Sequence, residues 1–333
     1  MPDPYPDLGP NQRRSRDDPS GTRVPRARLE RAWSGYHNPL MTNFGVLVHE
    51  GKSLGQGPEE LRTALADAGF PDPPWCTVAK SKKAPKRVRS LLDEGVERLL
   101  VWGGDGTVRR CIDTLVTENA KVELAILPAG TANLLAKALQ VPIDLHGALD
   151  VALHGIPRAI DVGVVNGQAF AVMAGTGFDA LMIRDADSAK DRLGKLAYLR
   201  AGARNLGHSG AEVTIQIEGR DWFEGRAACV LVGNVGRILG GVEVFPDARC
   251  DDGLLDVGVL RARRRTDWLR VGARAVFGRI DSSPLVEITR AAKATIRLDR
   301  TLPWQLDGGD QPRAKKFDVS ILPGRQSILV PTP

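Results

Sequence analysis

The sequence has few aromatic residues, few cysteines and no long apolar segment. Aromatic side chains make up only 5% of the 333 residues, so Leu, Val, Ile and Ala must fill the hydrophobic core. No apolar run reaches the roughly 18 residues that a membrane-spanning helix requires. The chain begins with Pro, Asp and Arg residues, which is not the pattern of a secretory signal. We therefore expect a cytoplasmic protein.

The scarce cysteines and histidines also exclude classes of site. The four cysteines form no C-x-x-C pair, and the five histidines show no metal-ligand spacing, so neither a zinc site nor a disulfide framework is predicted. The formal net charge of +6 favours anionic partners such as nucleotides, acidic lipids or nucleic acid. It does not choose among them, and a soluble protein can be basic without any such partner.

The chain divides into a tail and two halves of different texture. Residues 1–42 are rich in Pro, Arg and Asp without a hydrophobic period, which predicts a disordered tail. The next segment, up to Leu139, alternates short apolar runs with helical spacing, which is typical of parallel βαβ units. Its predicted strands are Phe44–His49, Trp75–Ala79, Arg98–Trp102 and Val122–Leu127. A chain of this length is expected to form two domains.

The second half, after Pro157, predicts a mainly antiparallel β domain. Short runs rich in Val, Ile and Ala follow one another, of which Ala169–Ala174 is one. Two helices are expected to interrupt them, at about Asp187–Asn205 and Thr266–Arg279. The predicted fold class is therefore α/β plus β.

Two glycine-rich turns are the strongest chemical signals. Gly103–Thr107 reads GGDGT and Leu127–Asn133 reads LPAGTAN, and each follows a predicted strand and opens a predicted helix. Glycines let backbone N–H groups approach a ligand closely, and a helix N-terminus favours phosphate. Turns at the carboxyl ends of neighbouring parallel strands line one crevice, so we expect both at one ligand site. Taken singly, each also suits an ordinary strand-to-helix connection, with Thr131 and Asn133 as helix caps.

Two acidic turns lie in the second half. Asp251-Asp252-Gly253 exposes oxygen ligands of the kind that Mg²⁺ prefers, although an Asx-type turn is favoured on composition alone. The segment Leu306–Asp310, LDGGD, offers two carboxylates, Asp307 and Asp310, for general-base work. On composition alone, a hairpin turn is the favoured interpretation of this segment.

The order of these motifs resembles the diacylglycerol kinase catalytic family, in particular its soluble bacterial lipid-kinase branch. Sphingosine and ceramide kinases are relatives. The likeness covers about Asn43–Pro331. The segments that carry it are GGDGT at Gly103, LPAGTAN at Leu127, AGTGFDA at Ala174, the run from Gly233 to Asp256 that ends PDARCDDGLLD, and LDGGD at Leu306.

The resemblance implies an NAD-kinase-like α/β nucleotide domain and a β-sandwich-like domain with ATP between them. The first would comprise residues 43–157 plus 312–331, and the second, which takes the lipid, residues 158–311. Phe317–Leu322 and Ser327–Val330 would be the strand that returns to the first domain.

The resemblance also implies a set of site residues. ATP contacts fall on Gly103, Gly104, Asp105, Gly106, Thr107 and Thr131. A structural Mg²⁺ site falls on the carboxylate of Asp252 with the carbonyls of Arg249 and Leu254. The proton acceptor falls on Asp307, with Asp310 as the acid nearest to the family's expected Glu.

The implied function is ATP- and Mg²⁺-dependent phosphorylation of diacylglycerol or a similar lipid alcohol, which would form phosphatidic acid. The basic run Lys80–Arg89, with six basic residues in ten, suits an anionic membrane surface as well as a solvated face. We expect a peripheral location at the inner membrane surface and no nucleic-acid partner. The oligomeric state stays open, a homodimer included.

The sequence departs from the family pattern at three places. His49–Ser53 replaces the usual Asn-Pro-x-Ser-Gly, Arg109-Arg110 replaces Asn-Glu after GGDGT, and Gly309 stands where a Glu is usual. These departures motivate one rival, a non-catalytic nucleotide-binding regulatory protein on the same fold. A sphingoid-base kinase is a second alternative. A soluble-metabolite kinase of the NAD kinase type has support only from GGDGT.

Overall fold

The computed structural model of the chain describes residues 43–177, 210–237, 243–262 and 282–332, with single positions 264, 266, 267, 270, 271 and 274. The predicted tail, residues 1–42, and the predicted helix at Asp187–Asn205 lie outside the described residues. Most of the helix predicted at Thr266–Arg279 lies outside them as well. Within the described ranges, no helix is long and apolar enough to cross a lipid bilayer.

The first half is a parallel sheet flanked by helices, as predicted. Its strands pair in the order β2-β1-β3-β4, and every pairing among them is parallel. The strands are β1 (Phe44–His49), β2 (Trp75–Val78), β3 (Arg98–Gly103) and β4 (Glu123–Pro128). The helices are α1 (Pro58–Asp67), α2 (Ala84–Asp93), α3 (Asp105–Thr117), α4 (Leu134–Ala138) and α5 (Leu145–His154), with a 3₁₀ turn at Ser81–Lys83.

The strands of this half are continuous apolar runs, because a parallel sheet is covered by helices on both faces and both faces of each strand are then buried. All six residues of β1 are buried, and Trp102 near the end of β3 is fully buried. Helix α2 packs by one stripe, Ala84, Val88 and Leu91, and turns its charged residues outward.

The second half is antiparallel, as predicted, and has its own hydrophobic cluster around Phe170, Ile215, Val257 and Leu306. Its strands pair with one another only in the antiparallel sense. They are β5 (Ile156–Val165), β6 (Gln168–Phe170), β7 (Met173–Gly177), β8 (Ala211–Ile217), β9 (Arg220–Ala227), β10 (Cys229–Gly233), β11 (Leu255–Leu260), β12 (Val286–Ala291), β13 (Lys293–Leu306) and β14 (Gly309–Val330).

The last strand, β14, joins the two halves. It pairs with β13 and β5 and then, at Ile328 opposite Leu124, with β4 in the parallel sense. A register shift between Leu322 and Gln326 divides it into the two parts that the family resemblance implied. The predicted boundaries at 157/158 and 311/312 stay predictions.

Three details differ from the sequence-based prediction. Ala169–Ala174 is not one strand but is broken between β6 and β7, because the N–H groups there bond a carboxylate, that of Asp307, instead of a neighbouring strand. The helix predicted from Thr131 begins only at Leu134, because Asn133 takes a left-handed backbone with φ of 49°. Helix α5 was not predicted, although the side chain of Asp144 caps it by accepting from the Gly147 N–H.

Candidate functional site

Three turns meet at the carboxyl edge of the parallel sheet. Val48 lies opposite Trp102, and Trp102 opposite Leu127, so β1, β3 and β4 end at the same level. The indole N–H of Trp102 donates to the Lys52 carbonyl at 3.1 Å and so ties the turn after β1 to β3. The turns that follow these strands therefore lie together at one edge of the sheet.

The two glycine-rich turns touch each other at Gly104 and Gly130. A Cβ built on Gly130 would lie 2.4 Å from the Cα of Gly104, a distance that no side chain tolerates. The Ala129 N–H donates to the Gly103 carbonyl at 3.0 Å. Glycine is needed here for close approach of two backbones, and both turns present a smooth backbone surface to a ligand.

The side chain of Asn133 holds the LPAGTAN turn together by hydrogen bonds to its backbone. Its side-chain oxygen accepts from the Gly130 N–H at 2.9 Å, and its amide donates to the carbonyls of Pro128 at 3.0 Å and Gly130 at 2.8 Å. The buried amide is thus fully used within the turn. Thr131, at the tip of the same turn, is exposed and accessible to a ligand.

Asp105 connects the GGDGT turn to the LPAGTAN turn. It is the first residue of α3, and its Oδ1 accepts from the Leu135 N–H in the first turn of α4 at 3.3 Å. Burial raises the pKa of Asp105, while the backbone N–H groups of Leu135 and Leu134 lower it. Burial disfavours the charged form of this carboxylate, and a cation nearby would stabilise that form.

Thr107 links the GGDGT turn to the basic run Lys80–Arg89. Its buried hydroxyl lies 2.9 Å from the hydroxyl of Ser81, at the start of the 3₁₀ turn that begins this run. Lys82, Lys83 and Lys86, which follow, are exposed. Sequence reasoning did not single out Ser81, because a serine within a lysine-rich segment is typical of a solvated surface.

His49 is the first residue of His49–Ser53, the segment after β1 that departs from the family pattern. Its ring Nδ1 accepts from the Gly51 N–H at 3.1 Å, so the imidazole closes the turn after β1. Burial lowers the pKa of His49, and the neighbouring Lys52 lowers it further, which keeps the ring neutral at pH 7.

Asp307 lies in the turn of the β13–β14 hairpin and points inward. Asp307 and Gly308 have φ of 44° and 77°, as a two-residue type I′ turn requires. Its Oδ2 accepts from the Ala171 N–H at 2.8 Å, and its Oδ1 accepts from Val172 at 2.9 Å and Met173 at 2.8 Å. The residue is 6% exposed. Burial raises the pKa of Asp307 to about 6, although these N–H groups and Arg109 lower it.

Asp310 takes the opposite position. It pairs with Gln305 across the hairpin and is exposed. Sequence reasoning left open which of the two carboxylates points inward, because two flexible glycines separate them. The hairpin distinguishes them by turning Asp307 toward the interior and leaving Asp310 at the surface.

Arg109, the second departure, is buried beside the same interior segment. It is 2% exposed, its Nη1 lies 3.4 Å from the Ala169 carbonyl, and its Nε has no partner among the described residues. Burial lowers the pKa of this guanidinium, and the charge of Asp307 raises it. Arg109 therefore lies between the helix of the GGDGT turn and the segment that holds Asp307.

The residues predicted to bind a structural Mg²⁺ supply a single carboxylate, that of Asp252. Its Oδ1 accepts from the Leu254 N–H at 3.1 Å, and its Oδ2 lies 3.5 Å from Nη2 of Arg290. No group of three or more His, Cys, Asp or Glu side chains is placed to hold a metal ion in the described part of the chain. Because a guanidinium already faces the carboxylate, these residues do not fit a divalent cation.

Two family matches cover most of the described chain. Residues 48–165 match the diacylglycerol kinase catalytic domain, and residues 172–330 match the YegS C-terminal NAD kinase beta sandwich-like domain.

Individual proteins and a solved structure agree with these matches. A protein of Pseudomonas fluorescens named "Probable lipid kinase YegS-like" is 39% identical over 228 residues, which is 68% of this chain and 75% of that protein. One of Bacillus subtilis named "Diacylglycerol kinase" is 30% identical over 213 residues, 63% of this chain and 70% of that protein. The crystal structure of a diacylglycerol kinase from Bacillus anthracis superposes with a TM-score of 0.69 at 24% identity, covering 86% of this chain and 96% of that one, and so has the same fold.

Proposed function

The chain belongs to the diacylglycerol kinase catalytic family, and from this premise we propose that it transfers the terminal phosphate of ATP to the hydroxyl group of diacylglycerol or a similar lipid alcohol. The observation that carries the proposal is the contact between the two glycine-rich turns at the carboxyl edge of the sheet, with Asp105 bonded across them.

The nucleotide phosphates would lie on the GGDGT turn. Helix α3, 13 residues long, begins there, so its first N–H groups and its dipole favour a negatively charged ligand. Thr131 contributes a hydroxyl from the second turn. Phosphoryl transfer needs positioning and charge stabilisation more than covalent chemistry, and a rigid pair of backbone turns supplies positioning.

Asp105 is the residue that we assign to hold the Mg²⁺ that accompanies ATP. Burial raises the pKa of this half-buried carboxylate, and a bound cation would stabilise its charged form. When bound, the ion would neutralise phosphate charge.

Asp307 is the better placed of the two candidate bases. Its Oδ1 accepts two hydrogen bonds and is saturated, whereas Oδ2 accepts one backbone hydrogen bond and keeps a lone pair for a hydroxyl proton. A pKa of about 6 suits a base that works near neutral pH. Asp310, at the surface, would orient the incoming lipid hydroxyl.

The basic run would hold the enzyme on the anionic inner membrane surface. Replacing Lys82, Lys83 and Lys86 together with Gln is expected to weaken binding to anionic vesicles on the order of 10²-fold, because each basic residue near such a surface contributes about 1 kcal/mol. Added salt should weaken binding of the unchanged protein in the same direction. Vesicle sedimentation at several salt concentrations measures both effects.

A matched control replaces three exposed lysines elsewhere, Lys121, Lys293 and Lys315, with Gln. Both variants lose three positive charges, so a difference in vesicle binding between them depends on where those charges lie. Equal binding by the two variants would assign the basic run to a solvated face.

Labelled ATP tested against a panel of lipid alcohols in mixed micelles checks the proposed activity. We expect label to enter diacylglycerol or another lipid alcohol of the panel, which includes a sphingoid base. ATP binding without lipid-dependent turnover on any member would favour the non-catalytic nucleotide-binding alternative.

A further inference from the structure

The segment from Asp247 to Asp256 concentrates negative charge. Four aspartates, at positions 247, 251, 252 and 256, lie within ten residues that comprise the turn before β11 and the start of that strand. Carboxylates held this close repel each other and require a cation nearby. We name this segment the acidic turn.

One guanidinium spans the acidic turn from end to end. Arg290 lies on β12 directly opposite Asp256 on β11. Its Nε lies 3.4 Å from Oδ1 of Asp256, and its Nη2 lies 3.5 Å from Oδ2 of Asp252. The same Nη2 donates to the carbonyl of Asp247. Arg290 therefore contacts the carboxylates of Asp252 and Asp256 and the backbone carbonyl of Asp247.

Other protein groups hold the rest of the acidic turn. Asp251 pairs with Arg158 at 2.5 Å and with Arg249 at 3.3 Å. The Gly253 N–H donates to Oδ2 of Asp161, a buried carboxylate on β5, at 2.7 Å. The conformation of the turn is thus specified by contacts within the chain.

We propose that Arg290 is the built-in cation of the acidic turn and takes the place of the structural Mg²⁺ that the family resemblance implies at Asp252. A planar guanidinium with several N–H donors can bridge separate oxygen atoms in one geometry. Mg²⁺ requires closely spaced oxygen ligands in octahedral arrangement and would compete with Arg290 for Oδ2 of Asp252. The Mg²⁺ requirement of this protein then comes from the nucleotide alone.

Thermal unfolding of the full chain without nucleotide tests the proposal separately from any kinase activity. The Tm of the unchanged protein should be the same in EDTA and in Mg²⁺. Arg290→Met should lower the Tm in EDTA by ~2–4 °C, the shift expected for partly exposed ion pairs in a chain of this size. Added Mg²⁺ should restore part of that loss, because Asp252 and Asp256 are then without their cation.

Arg297→Met is the matched control. Arg297 is exposed on β13, which does not pair with β12, and the same substitution there should leave the Tm unchanged, with the same value in EDTA and in Mg²⁺. A Tm of the unchanged protein that falls in EDTA and rises with Mg²⁺ would show that the acidic turn binds a metal, and would overturn the proposal. An Arg290→Met variant with the Tm of the unchanged protein, or one whose Tm ignores Mg²⁺, would overturn it as well.

Discussion

Asp105→Asn is expected to lower lipid phosphorylation by on the order of 10³-fold while the protein stays folded, the scale of loss for one preorganised charge-stabilising group. Asn has the shape of Asp and keeps the oxygen that accepts from the Leu135 N–H at 3.3 Å, so the link between the two turns survives. Only the negative charge is removed. The measurement is steady-state turnover, with circular dichroism and Tm as checks of folding.

A matched control separates the charge of Asp105 from its structural role. Asp144→Asn alters another aspartate that accepts a helix N–H, that of Gly147 at 2.8 Å, but away from the glycine turns. It should retain normal turnover. Near-normal turnover in Asp105→Asn would mean that this carboxylate only joins the turns, and would remove it from the proposed mechanism.

Asp307→Asn is expected to lower turnover by ~10²–10⁴-fold, the contribution of a positioned base, with little change in ATP affinity. The substitution also has a structural cost. An Asn amide nitrogen cannot accept from an N–H, so at least one of the bonds from Ala171, Val172 and Met173 is lost, at about 1–3 kcal/mol for a buried unpaired donor. ATP affinity and Tm must therefore be measured beside turnover.

The pH dependence of the unchanged enzyme gives a second readout of Asp307. Burial raises its pKa to about 6, so turnover should fall as the pH drops through about 6 and the base becomes protonated. Stability changes in the opposite direction. Because the folded-state pKa exceeds the unfolded value of 3.8, the unfolded chain loses its proton first as the pH rises, and this carboxyl lowers the free energy of unfolding between about pH 4 and 6. Asp307→Asn should remove that part of the pH dependence.

Asp310→Asn is the comparison within the same hairpin. Its exposed side chain makes a folding defect small, and we expect a smaller loss of turnover than in Asp307→Asn. A loss confined to Asp310→Asn would move the base to the surface position. Full turnover in both variants would mean that the proton acceptor lies elsewhere.

Local sequence signals determined most of the architecture. Short buried runs such as Phe44–His49 could be assigned as parallel strands, because a sheet covered on both faces needs continuous apolar residues. The glycines of GGDGT and LPAGTAN marked the turns at the strand ends, and the alternation of elements placed those turns at one edge. Period and turn chemistry extend over a few residues, so the sequence displays them directly.

What the sequence determined by itself is therefore the fold class, the glycine-rich turns and the acidic segments that accompany them. Tertiary structure alone decided which polar groups come together: the hydroxyls of Ser81 and Thr107, the guanidinium of Arg109 with the Ala169 carbonyl, and Arg290 with Asp252 of the acidic turn. It also decided that Asp307 is buried and Asp310 exposed, although both flank the same two glycines. The reason is that burial and pairing depend on residues far apart in the chain, which local patterns of polarity do not specify.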